Sequence, residues 1–94
     1  MAAYLVGHIN VKDPRKWEAY VAGVAESLQP FAAEVIFRGR KEAVLAGTHD
    51  HDLVVAIRFA DREELRIWYH SDAYQQLIPL RDQAADVVIV SYDG

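Results

Sequence analysis

The run LVVAIRF, Leu53 to Phe59, is apolar at every position except Arg58. A strand with one wet face alternates apolar and polar residues, because successive side chains point to opposite sides of the sheet. This run does not alternate, so both of its faces are expected to be covered. The closing segment DVVIVSY, Asp86 to Tyr92, carries the same two-sided character in its VVIV core. Outward from these two strands the other elements fall into place. AYLVGHINV, residues 3 to 11, reads as a first strand, with Tyr4, Val6, His8 and Asn10 on one face and Leu5, Ile9 and Val11 on the other. AEVIFR, residues 33 to 38, reads as a second strand. Between them Asp13 has the chemistry of an N-cap and Pro14 that of a first helical residue. The helix PRKWEAYVAGVAESLQ follows, with Trp17, Tyr20, Val21, Val24, Ala25 and Leu28 on one face, and Pro30 stops it.

After LVVAIRF, Asp61 and Glu64 form a capping-box pattern for the helix DREELRIWYH, which turns Leu65, Trp68 and Tyr69 inward. A further helical piece starts near Asp72, is interrupted by Pro79 and runs out near Ala85. The link from Gly39 to Asp52 holds an extendable run, EAVLAG, and a polar loop, THDHD; RGRK, Arg38 to Lys41, reads as a solvated turn. The order β-α-β-β-α-β predicts an α+β, ferredoxin-like fold, a four-stranded antiparallel sheet with both helices on one face.

Ninety-four residues make one domain, residues 1–94. At this size a chain buries only about 60 to 65% of its extended surface and gains from a partner, a metal or disulfides. There is no cysteine, which removes disulfides and thiol nucleophiles. Two helices shield only one face of a four-stranded sheet, so a second copy laid sheet against sheet is expected, giving a dimeric α+β barrel. A net charge of −4 without a concentrated basic face argues against nucleic acid. No apolar run reaches membrane-spanning length and no leader pattern opens the chain, so a cytoplasmic location is expected.

The candidate site residues are few. His8 is the candidate catalytic acid or base, since imidazole exchanges a proton near neutral pH. Arg38 and Arg58 are candidate anion holders, with strand-end pairing to Glu34 or Asp86 as their structural alternative. The segment WYHSDAYQQLIPLR, Trp68 to Arg81, supplies more. Trp68 closes the core, Ser71 or Asp72 caps the next helical piece, and Tyr69, Tyr74 and Arg81 join Tyr20 as candidate ligand-binding groups. No metal and no cofactor are expected. THDHD offers His49 and His51, but two histidines in a loop give no prepared geometry, and nucleotide-binding and serine-hydrolase motifs are absent.

The opening AYLVGHINVKDPRKWEAY, the pair Arg38-Gly39, EAVLAG, LVVAIRF and above all WYHSDAYQQLIPLRDQA resemble the small bacterial proteins of domain-of-unknown-function family 1330. Trp68, Tyr69, Ser71, Tyr74 and Gln75 match that family's W-Y-x-S-x-x-Y-Q segment, and Arg81 its downstream arginine. The chain departs from it in Arg40, where a second glycine is usual, and in GTHDHD, where prolines and a tryptophan are usual. The resemblance implies a ferredoxin-like homodimer within the dimeric α+β barrel group. Other members of that group are cofactor-free monooxygenases, lactone isomerases or haem enzymes.

Two functions compete: binding or conversion of a small organic acid in a barrel cavity, and a non-catalytic dimeric binding or stress-associated module. An oxygen- or haem-linked activity ranks third, since no histidine is committed as an axial ligand. The two-sided strands give the first test. Sedimentation across a wide concentration range is expected to return twice the chain mass; a persistent monomer at high micromolar concentration rules out the shared barrel.

Overall fold

A computed structural model describes residues 1–94. The elements are β1 (Ala3–Val11), α1 (Pro14–Leu28), β2 (Ala33–Arg40), β3 (Leu53–Phe59), α2 (Arg62–His70), α3 (Asp72–Gln75), α4 (Ile78–Ala84) and β4 (Ala85–Asp93). The sheet order is β2-β3-β1-β4 with every neighbouring pair antiparallel, the ferredoxin-like arrangement. The strands with the most two-sided apolar sequence, β3 and β4, lie on either side of β1. No helix is long and apolar enough to cross a membrane.

Local chemistry explains the helix boundaries. Asp13 Oδ1 accepts from the backbone N–H groups of Arg15 and Lys16 at 3.1 and 3.2 Å, satisfying donors that no helical carbonyl reaches. Asp61 Oδ1 accepts from Glu64 N at 2.8 Å and starts α2 in the same way. Ser71, rather than Asp72, caps α3: its Oγ accepts from Tyr74 N and donates to the Trp68 carbonyl that ends α2.

Three sequence expectations need correction. Pro79 does not interrupt a helix; it sits in the first turn of α4, where its missing N–H would be unpaired anyway. The break falls earlier, at Gln76 and Leu77. EAVLAG forms no strand; Leu45 is 96% exposed, and the segment belongs to an arm that turns at Gly47, φ 80°. RGRK is not a turn, because Arg38, Gly39 and Arg40 extend β2.

The core lies between the sheet and the helices, built from Leu5, Ile57, Phe59, Leu65, Trp68 and Tyr74 with Tyr20 at its margin. Trp68 is 2% exposed and its ring centroid lies 4.5 Å from Tyr74 and 5.4 Å from Phe59. Its indole N–H donates to Ser27 Oγ at 2.9 Å, and Ser27 passes its own proton to the Val24 carbonyl at 2.7 Å. That chain gives a buried polar atom its partner and ties α2 to α1.

α1 approaches α4 and α3 more closely than it approaches any strand. Gly23 permits this, since a Cβ there would stand 2.7 Å from Leu77 Cδ2. The helix is therefore drawn sideways and does not lie flat on the sheet. Truncating Trp68 should open the centre of the core, and W68A is expected to lose about 3–5 kcal/mol. Ser27→Ala should lose about 1–3 kcal/mol by stranding the indole N–H. Urea unfolding of both variants measures these losses, and a W68A midpoint equal to the parent's would remove Trp68 from the core.

Candidate functional site

The space left by α1 is a cavity of about 840 Å³ between that helix and the sheet, lined chiefly by apolar side chains. Val21, Val24 and Leu28 form its helical wall; Leu5, Val55 and Ile57 lie among its sheet residues. Gly7 adds room in the middle of β1, where a Cβ would come within 3.2 Å of Val55 Cγ1. A glycine inside a strand marks such a close approach, and this was the one sequence signal for the cavity.

The polar residues at the cavity's edge arrive through a β-bulge. Val35 pairs with Ile57 and Phe37 with Ala56, so Ile36 is the extra residue. Strict alternation from Val35 would put Arg38 and Arg40 on the face away from the helices. The bulge reverses this: Arg38 lies opposite Val55 and Arg40 opposite Leu53, on the cavity face. Both arginines are exposed, on the edge strand, and mark the cavity's mouth. Arg40 is held by Asp52 at 2.8 Å, whereas Arg38 enters none of the chain's ion pairs. Arg40 is a site residue that sequence periodicity did not reveal.

At the inner end stand Tyr20 and Tyr74, their hydroxyl oxygens 2.8 Å apart. Behind them Arg81 Nη1 donates to Tyr74 Oη at 3.0 Å and lies 3.5 Å from Tyr69 Oη. Burial pushes the Tyr20 phenol far above its ordinary pKa and outweighs the opposing pull of Arg81. Burial would lower the Arg81 pKa, but its hydrogen bonds to Tyr69 and Tyr74 raise it, so the guanidinium stays charged. The network therefore offers a protonated Tyr20 and a fixed positive charge at Arg81.

The sheet separates His8 and Arg58 from this network. His8 lies opposite Val54 and Val88 and Arg58 opposite Tyr4, all on the face that no helix covers. The structure thus brings Tyr20, Tyr69, Tyr74 and Arg81 together and places Arg38 at the same cavity. It does not bring His8 or Arg58 to them. Arg58 instead faces Glu34 at 3.7 Å. This cavity lies beneath α1.

His8 has company that its sequence position did not show. The arm folds back so that the His49 ring centroid lies 4.9 Å from His8 and 6.0 Å from His51. Asn10 anchors it by donating to the Asp50 carbonyl and accepting from Asp52 N, both at 2.8 Å. His51 faces Asp50 at 3.1 Å and Asp86 at 3.5 Å. No group of three His, Asp or Glu side chains has the arrangement of a metal cage. Burial, followed by the charges of His49 and His51, lowers the His8 pKa, and His8 Nδ1 is buried without a hydrogen-bond partner.

Solved structures share this architecture at low sequence identity. A protein of unknown function from Rhodopseudomonas palustris is 13% identical, with TM-score 0.83 over 99% of this chain and 82% of its own. SnoaB, a cofactor-independent oxygenase from Streptomyces nogalater, is 11% identical, with TM-score 0.71 over 99% of this chain and 92% of its own. A dimeric ferredoxin-like protein of unknown function from a Jannaschia species is 10% identical, with TM-score 0.71 over the full length of both chains. These likenesses concern the fold alone. No curated protein matches the sequence. The model of the domain of unknown function DUF1330 matches residues 2–94, from the first strand through the Tyr74 network to the last strand, and the chain belongs to that family.

Proposed function

We propose that the protein is a homodimer that binds a compact, mostly apolar organic acid in the cavity between α1 and the sheet. The observation that carries this reading is the cavity itself: about 840 Å³, lined chiefly by apolar side chains, with Glu18, Arg38, Arg40 and the tyrosines Tyr20 and Tyr74 as its polar groups. Ligand sites generally have this character, a hydrophobic body with a few placed polar groups that fix orientation. The unpaired Arg38 at the mouth suits a carboxylate, and Tyr20 and Tyr74 suit an oxygen at the far end. Binding is favoured over proton-transfer catalysis because the Tyr20 phenol is held protonated and His8, the candidate acid or base, lies across the sheet from the cavity.

The homodimer reading rests on the other sheet face. Phe37, Val88 and Tyr92 are large, half-exposed apolar residues there, and the helices leave them uncovered. A second copy is the covering that the chain itself can supply, and a Jannaschia protein of the same fold is described as dimeric.

Titration with 2-naphthoate, followed through quenching of the tryptophans, is expected to saturate; Trp17 and Trp68 both border the cavity. Val55→Phe fills the cavity from β3 and should abolish binding. Arg38→Ala should weaken it by up to about fivefold, the scale of an exposed ion pair worth ~1 kcal/mol. Equal binding by the parent and V55F overturns the cavity reading.

The open face gives a pH test. Folding lowers the His8 pKa, so below its ordinary value of 6.5 the unfolded chain takes up the proton first. Stability is then lost as pH falls through 6.5 and levels off below the depressed folded value. His49 and His51 from the arm, with Asp50 and Asp86 against His51, are the titratable groups packed round this position. Urea unfolding between pH 7.5 and 5.5 should show a shallower acid loss for His8→Gln than for the parent. Identical slopes place the acid sensitivity elsewhere.

A further inference from the structure

The Tyr20–Tyr74–Arg81 chain has a proton count that fixes its direction. Tyr74 is 0% exposed, so its single hydroxyl proton must find a protein acceptor or remain unpaired. Its oxygen already accepts from Arg81 Nη1 at 3.0 Å, because a guanidinium has only donors. The acceptor within reach of the Tyr74 proton is the Tyr20 oxygen at 2.8 Å. If Tyr20 donated instead, the Tyr74 oxygen would accept twice and its proton would be buried without a partner, at a cost of about 1–3 kcal/mol. The satisfied arrangement runs one way, from Arg81 to Tyr74 to Tyr20. It leaves the Tyr20 proton unspent, on a residue that borders the cavity.

We propose that Tyr20 is the cavity's directional donor, carrying the polarising effect of Arg81 through Tyr74, and that it selects ligands with a hydrogen-bond-accepting oxygen at their inner end. This rests on the cavity reading above and deepens it by naming the group the ligand must present: a carbonyl, carboxylate or phenolate oxygen on an apolar body. The guanidinium does not line the cavity, so its charge polarises the donor without adding a bulky, hydrated group to an apolar space. The opposite polarity, with Tyr20 as an acceptor, would favour alcohols and amines. The three residues come from α1, α3 and α4, which makes donor direction a property of how those helices pack.

The experiment compares two neutral probes, naphthalene and 2-acetylnaphthalene, which share a ring system and differ by a carbonyl acceptor. In the parent protein, the ¹³C-labelled carbonyl is expected to absorb at lower infrared frequency than it does in hexane, because it accepts a hydrogen bond. Tyr20→Phe should remove that shift and weaken 2-acetylnaphthalene roughly tenfold, the effect of one buried hydrogen bond left unmade, with naphthalene affinity unchanged. Tyr74→Phe keeps the Tyr20 hydroxyl but severs it from Arg81, and should give a smaller shift than the parent. The infrared measurement on the parent needs no variant to fold. An unshifted carbonyl overturns the donor proposal while bound naphthalene leaves the cavity reading intact. Equal loss of both probes in Y20F, or a full-size shift in Y74F, also overturns it. If neither probe binds the parent, the cavity reading falls and the donor proposal falls with it.

Discussion

The hydroxyl of Tyr74 belongs to a fully buried ring, and its need for partners connects three helices. It accepts from Arg81 of α4 and meets Tyr20 of α1, while Tyr74 itself stands on the four-residue α3. A helix that short has little stability of its own, because nucleating a turn fixes several residues for one hydrogen bond. Ser71 caps it at one end, and the Tyr74 ring is wedged against Trp68. With α3 so fixed, α1 is held toward α3 and α4, which keeps it off the sheet. The cavity follows from that displacement. Its polar inner end and its apolar walls thus have one structural origin.

Much of this was legible in the sequence, for reasons that differ by residue. Leu53–Phe59 identified itself because two-sided burial erases alternation. The spacing places Trp68 in the core, a cap at Ser71 or Asp72, and Tyr74 in the core or at a pocket edge, since helical neighbours three or four residues apart share a face. Tyr69, Tyr74 and Arg81 stand in one short segment of sequence, and α2, α3 and α4 bring them together. The register of β2 was not legible. The bulge at Ile36 leaves no compositional mark, yet it decides which face Arg38 and Arg40 occupy. The His8–His49 approach was equally hidden, because it depends on how an arm of exposed residues folds back and not on any period in β1. His8 was correctly placed on the face with Tyr4 and Asn10, but alternation alone does not say which face the helices cover.

The two faces of the sheet therefore carry different chemistry. On the helix side, tyrosine hydroxyls and exposed arginines border an apolar space. On the open side, three imidazoles and two carboxylates gather beside exposed valine, tyrosine and phenylalanine. β3 belongs to both, giving Val55 and Ile57 to the helix side and Ala56 and Arg58 to the open face. A substitution in β3 changes one face or the other according to its parity.

A cavity of this size is costly in a chain of ninety-four residues. Open to solvent, it leaves apolar wall residues such as the 40% exposed Val35 in contact with water, and a small domain has little stability in reserve. Filling the space with larger side chains would be the direct remedy, and the sequence does the reverse at Gly7 and Gly23, where one widens the cavity and the other draws α1 away. An occupant offsets the deficit by mass action, adding about 2.7 kcal/mol when present at a hundred times its dissociation constant. A partner on the open face contributes by the same linkage. The Tyr74 network supplies rigidity beside this space: charge-assisted at Arg81 and buried at Tyr74, it joins α1, α3 and α4.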